Sequence, residues 1–231
     1  MSSGTGPSHK DPHDELVVLG ATGGSGRAAI TALLAAGHRV TAFSRSAGQL
    51  RGMGEGLRPW CGDAARPDDV EQAVRGQDAV IVTLGISESA LHVRLAGSRH
   101  TPLDVRSRGT RHVIAAMRRQ GVSRLVVQTS FGVGATRHRL PLAYRLMFGL
   151  LLKPQVADTE LQEQAVRASG LDWVIAQPVN LVDSADRGEL LASAEGEVRS
   201  MKVARRQVGR FLAEAVEGPQ WLGRSVALSA G

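Results

Sequence analysis

The chain has 231 residues, 42% of them apolar, which suits one α/β domain with a sizeable core. Its single cysteine, Cys61, rules out an intrachain disulfide and fits a reducing cytoplasm, and no run is long or apolar enough to span a membrane as a helix. The net charge of +6 comes mostly from arginines scattered along the chain, so residues such as Arg118, Arg119, Arg205 and Arg206 read as solvated helix faces with a mild pull on anionic ligands rather than as a nucleic-acid stripe.

Residues 1–14 are rich in Ser, Gly, Pro and His and have no apolar centre, which predicts a disordered tail rather than a secretory signal. Residues 15–231 read as a single domain. It opens on a Val-rich run at 16–19, the pattern of a strand buried on both faces. Gly20, Gly23 and Gly26 follow at GxxGxxG spacing, with Thr22, Gly24 and Ser25 between them. Ile30, Leu33 and Leu34 then recur at helical spacing, Gly37 closes the helix, and 40–43 is a second strand. Strand, glycine turn, helix and strand make the first unit of a doubly wound dinucleotide-binding fold. The chemistry accounts for the glycines. A helix N-terminus offers open N–H groups and a positive dipole end to a pyrophosphate. A side chain at Gly20 would crowd the turn, one at Gly23 would hold the backbone off the phosphate, and one at Gly26 would push the helix off the sheet.

The second strand ends in Ser44-Arg45, where a chain selective for NAD carries an acid for the ribose 2′-hydroxyl. An arginine there can pair with a 2′-phosphate instead, so NADP(H) is the expected cofactor. The third strand, 57–61, carries Cys61 in an apolar setting that predicts a buried thiol, and it delivers Asp63 and Ala64 to the carboxyl edge. The Asp63 carboxylate either accepts from the adenine amino group or shapes a turn. A short helix at 67–75 has acids in its first turn, and a fourth strand at 79–84 delivers Leu84 and Gly85 beside the cofactor.

Residues 86–102, with His92, Arg94, Arg99 and His100, follow a strand at the ligand-binding edge and make a candidate substrate lid; two histidines without cysteines or convergent carboxylates are no metal signature. The helix at 103–120 should bury Thr110, Val113, Ile114 and Met117, and Gly121 ends it. The strand at 123–128 brings Thr129 and Ser130 to the carboxyl edge. The apolar stretch 137–153 predicts a helix over the site or at a subunit interface. A helix at 158–169 ended by Gly170 and a strand at 172–177 follow, then Pro178 and Asn180, a short strand at 198–203, a helix at 205–217 that buries Val208, Phe211, Leu212 and Ala215, and a last strand at 224–228.

Four segments, GATGGSGR, GQDAVIVTLG, GTRHVIAAMRRQGVSRLVVQTSFGVG and RASGLDWVIAQPVNL, together resemble the atypical short-chain dehydrogenase/reductases, and within them the NmrA-like group that includes flavin and biliverdin-IX-beta reductases. The resemblance runs from residue 15 to residue 228. It implies an α/β Rossmann-type doubly wound parallel sheet of strand order 3-2-1-4-5-6-7 with NAD(P)H on the strand carboxyl ends. It places Gly20, Thr22, Gly23, Gly24, Ser25 and Gly26 in the phosphate loop, Arg45 at the 2′-phosphate, Asp63 and Ala64 at the adenine, Leu84 and Gly85 along the ribose, and Ser130 and Pro178 near the nicotinamide.

The chain also departs from the pattern. Its one tyrosine, Tyr144, is followed four residues on by Phe148, so the Tyr/Lys acid–base pair of typical short-chain dehydrogenases is missing. Asn180 stands where some relatives carry a histidine, and Gln177-Pro178 where others carry Arg-Pro. Ser130 and Asn180 are the candidates nearest the chemistry. The implied activity is NADPH-dependent hydride transfer to a small-molecule acceptor such as a flavin or quinone, by a cytoplasmic monomer or homodimer that uses no metal. The competing readings are a non-catalytic NAD(P) sensor that acts through a protein partner, and a sugar-nucleotide epimerase or dehydratase.

Overall fold

The computed structural model describes residues 14–85, 101–140, 153–183 and 188–231. The sheet is built outward from β1 (Glu15–Leu19), which lies between β2 (Arg39–Ser44) and β4 (Ala79–Val82), parallel to both. On the far side of β2 lies β3 (Leu57–Cys61); beyond β4 come β5 (Arg124–Gln128) and β6 (Asp172–Pro178). The seventh place belongs to the last strand of the chain, β10 (Arg224–Ala230), parallel to β6. The expected order thus stands, with one strand of this sheet that the sequence did not reveal: β8 (Leu190–Ser193) pairs antiparallel with β10 and makes the sheet eight-stranded. Of the short strand expected at 198–203 only the end is strand, β9 (Lys202–Ala204). It pairs in parallel with β7 (Asn180–Val182) in a separate two-stranded sheet.

Helices cover both faces. α1 (Gly24–Ala35) and α5 (Arg205–Glu217) lie on one, and α2 (Pro67–Val74), α3 (Val105–Gln120) and α4 (Lys153–Arg167) on the other. Because side chains alternate along a strand, β1 feeds both cores. Leu16 and Val18 pack with Ile30, Leu33, Phe211 and Leu212, while Val17 and Leu19 pack with Val113, Met117 and Val127. The stripes predicted on α3 and α5 are the buried ones. Gly37, Gly121 and Gly170, each placed at a helix end by the sequence, all have positive φ.

Three expectations need correction. Cys61 is exposed rather than buried, because β3 is the edge strand and has solvent on one side. Residues 137–139 belong to a 3-10 turn, Gly134–Arg139, rather than to an α-helix; 141–152, the rest of that apolar stretch, lie outside the described residues. The helix expected at 158–169 begins five residues earlier, at Lys153. An acid before a periodic run reads as a helix start, but Asp158 serves a different helix: its carboxylate accepts the N–H groups of Arg106 and Ser107 at 3.0 and 3.1 Å and so caps α3. The proposed lid residues 86–100 and the tail residues 1–13 lie outside the described residues. Asp14 already belongs to the sheet edge, where its carbonyl accepts the Arg39 N–H.

Candidate functional site

A cleft of about 580 Å³ opens at the carboxyl ends of β1 to β4, within the size range of small-molecule sites. Its floor is the turn from β1 into α1. Gly20 has φ +81°, and a Cβ there would stand 2.6 Å from the Thr83 carbonyl oxygen, so only glycine can make this turn between two packed strands. At Gly26 a Cβ would run into the Gly20 carbonyl, which keeps α1 tight against the sheet. Gly23 is different. It is exposed to the cleft, and an added Cβ would meet only the Gly20 oxygen at 3.3 Å, so the space above it is held open rather than filled by protein. Gly23 is also the N-cap of α1, with no side-chain cap and no acid in the first turn. The opening amides of α1 therefore point at the cleft with no side chain claiming them, which is the arrangement that binds anions.

The walls come from the other strand ends. Of the residues singled out in the sequence, Gly20, Thr22, Gly23, Gly24, Ser25, Arg45, Asp63, Ala64, Leu84 and Gly85 all line the cleft, and Gly26 lies just beneath it. Arg45 reaches across and donates from Nη2 to the Thr101 hydroxyl at 2.9 Å, tying the end of β2 to the lead-in of α3. The Asp63 carboxylate accepts the Ala65 N–H at 2.9 Å, and the Asp63 N–H donates to Asp69 Oδ2 at 2.9 Å. The first of these bonds is the turn-shaping role read for Asp63 in the sequence. Leu84 is held against α3, where Gly109 leaves room for it: a Cβ there would lie 2.6 Å from Leu84 Cδ1.

Ser130, Pro178 and Asn180 do not line this cleft. Ser130 and Pro178 sit side by side at the ends of β5 and β6, where the Phe131 N–H donates to the Pro178 carbonyl at 2.9 Å. The Ser130 hydroxyl makes a long 3.4 Å contact with the Phe131 carbonyl. Asn180 is exposed on β7, its N–H bonded to the Met201 carbonyl.

Beneath Ser130 lies a polar group that the sequence did not reveal. Glu163 on α4 is fully buried; its Oε1 accepts from the Thr129 hydroxyl at 2.8 Å and from Gln177 Nε2 at 2.7 Å, and its Oε2 pairs with Arg167 at 2.9 Å. Arg106, beside Gly85 on the first turn of α3, was missed as well. Burial pulls its pKa below the usual arginine value against the opposing charge of Asp158, and its Nη1 is buried without a hydrogen bond to any described residue. A charged residue at helical spacing reads as a solvent face, and nothing local reports that another element will cover it. The same applies to Arg205, which is only 30% exposed, whereas Arg118 and Arg119 are exposed as expected. Arg118 donates to the Ser169 carbonyl at 2.6 Å, and Arg205 lines the cleft. Among the described residues there is no group of three or more His, Cys, Asp or Glu placed to hold a metal, and no helix long and apolar enough to cross a membrane.

Residues 20–219 match the model of a family described as NAD(P)H-binding. Among solved structures, the chain is similar to ChuY, an anaerobilin reductase from Escherichia coli O157:H7, at 24% identity and TM-score 0.72 over 93% of this chain and 96% of that one. It is similar to a short-chain dehydrogenase/reductase from Veillonella parvula solved in complex with NADP, at 17% identity and TM-score 0.74 over 94% of each chain. A Bacillus halodurans protein provisionally named an NAD-dependent epimerase/dehydratase matches at 21% identity and TM-score 0.74, again over 94% of each chain. At these identities the likeness is one of fold.

Proposed function

The chain belongs to the family described as NAD(P)H-binding, and from that premise we propose that it is an NADPH-dependent reductase of a flavin, quinone or similar conjugated acceptor, of the atypical short-chain dehydrogenase/reductase kind. The observation that carries the cofactor half of this reading is the uncapped, acid-free start of α1, set in a glycine turn that opens onto a cleft with Arg45 on its wall. These residues suit a dinucleotide: the α1 amides take the pyrophosphate, and the Arg45 guanidinium takes a 2′-phosphate that a shorter acid would repel. When bound, the cofactor supplies a hydride from its nicotinamide. The chain's part is to hold and aim it, with Leu84 and Gly85 along the ribose path and Ser130 and Pro178 toward the nicotinamide end.

The acceptor half rests on what the sequence lacks. With Phe148 four residues after its one tyrosine, the chain has no Tyr/Lys pair to move a proton at a carbonyl or hydroxyl. Conjugated acceptors need little such help, because solvent supplies their protons. Stopped-flow oxidation of bound NADPH by a panel of flavins, quinones and carbonyls tests the reading. Flavins or quinones should oxidise it in single turnovers, and simple carbonyls should not. Tight NADPH binding with no oxidation by any acceptor would favour a sensor instead. Turnover confined to sugar nucleotides would favour an epimerase or dehydratase.

Cofactor choice gives a separate prediction. A charge-assisted contact to phosphate is worth about 1.5–3 kcal/mol, or roughly one to two decades in affinity. Arg45→Ala should weaken NADPH by that factor and NADH by less than about threefold in calorimetric titration. Equal losses would show that Arg45 does not read the 2′-phosphate.

A further inference from the structure

Arg205 is the first residue of α5, almost two hundred residues from the phosphate loop in sequence, yet it sits on that loop. Its Cδ and Nε lie 2.6 and 2.8 Å from where a Cβ on Gly24 would stand, so the arginine stem fills the place of a Gly24 side chain. One helical turn further on, Gly209 lies so close to α1 that a Cβ there would be 2.6 Å from the Ala28 carbonyl oxygen. Residue 205 against 24 and 209 against 28 means that α5 and α1 run side by side in the same direction. Their positive dipole ends therefore meet at one point, and a guanidinium stands there too.

That accumulation of positive charge is unfavourable unless an anion joins it. Asp183 accepts from Arg205 Nε at 2.7 Å, but Asp183 is 80% exposed, where a single ion pair contributes little. The bond also uses only Nε. Both Nη groups are left without a hydrogen bond to any described residue, on a side chain that is 30% exposed and lines the cleft. A fork held by its Nε, with both Nη groups open, is the geometry that grips two phosphate oxygens.

We propose that Arg205 is a pyrophosphate anchor, clamping the dinucleotide against the start of α1 from the opposite end of the chain. The proposal rests on the NAD(P)H reading above. Its test uses Arg205→Met, which keeps the stem over Gly24 and removes the charge, and Arg205→Lys, titrated with NADPH, ADP-ribose and adenosine 2′-monophosphate. Only the first two carry a pyrophosphate. Arg205→Met should weaken both by about tenfold or more and leave adenosine 2′-monophosphate unchanged, with Arg205→Lys intermediate. Unchanged affinity for NADPH and ADP-ribose would overturn the proposal and leave the NAD(P)H reading standing. An equal loss for adenosine 2′-monophosphate would also overturn it, as general damage to the cleft. Wild-type protein that binds neither NADPH nor ADP-ribose would remove the reading and the proposal together.

Discussion

Gly23→Val should abolish NADPH binding while leaving the fold intact. The two effects separate because Gly23 differs from its neighbours. Its φ of −70° and ψ of 161° are extended, a region that β-branched residues favour, and its only close neighbour for a Cβ is one carbonyl oxygen at 3.3 Å. The protein can accommodate valine there, so melting should shift by no more than about 2–3 °C. The valine methyls would instead occupy the open side of the loop, where a pyrophosphate must approach the amides of α1. Affinity should fall by more than about a hundredfold. Valine at Gly20 or Gly26 would give a different result, since the side chain there meets protein backbone and the fold itself would be strained. Calorimetric titration beside thermal melting decides the matter. A folded variant that binds NADPH as wild type would remove the phosphate-loop reading.

The largest effect on stability should come from Glu163→Ala. The carboxylate is wholly buried among Thr129, Gln177 and Arg167. Truncation strands the Thr129 hydroxyl, leaves the Gln177 amide with only its long 3.4 Å bond to the Val133 carbonyl, and takes the carboxylate from the Arg167 guanidinium. Leaving a buried polar group unsatisfied costs about 1–3 kcal/mol, and for a domain of this size 3 kcal/mol corresponds to about 6–12 °C in Tm. Glu163→Gln should lose about half as much, because its amide oxygen still accepts from both neutral donors and Arg167, which is 35% exposed, can turn to water. Urea unfolding of the three proteins measures this directly. A Glu163→Ala midpoint equal to that of wild type would mean that the network under Ser130 adds nothing to stability.

What the sequence disclosed was whatever depends on local pattern. The Val-rich run at 16–19 becomes a central strand because both of its faces are buried, and continuous apolarity reports that. The Thr110, Val113, Ile114 and Met117 stripe and the glycines at helix ends were legible for the same reason. Hidden features depend on elements that meet only in the fold. β8 is four residues with no alternation to mark it, and it exists because β10 offers an edge. Cys61 looks buried until β3 is known to be the outermost strand. Asp158 and Glu163 look like surface acids, yet their partners lie 51 and 34 residues away in sequence. The cleft residues of the first four strand ends were readable because each follows its own strand directly. Arg205 was not, because its place over Gly24 is set by the alignment of two helices from opposite ends of the chain.

The position of β10 also dictates an order of assembly. Strands β1 to β6 can pair as they leave the ribosome, but the strand that completes the row, Arg224–Ala230, is made last and slots between β6 and β8. Until it arrives, β6 is a parallel edge with a row of open N–H and C=O groups along one side, the kind of edge that invites foreign pairing. β8, although already synthesised, has no strand of the main sheet to join. At translation speeds of about 5–20 residues per second, the 45 residues between β6 and β10 hold that edge open for a few seconds in every newly made molecule. A chain halted after residue 178 would carry the β1 to β4 ends of the cleft, still without Arg205, on a sheet that lacks its last two strands.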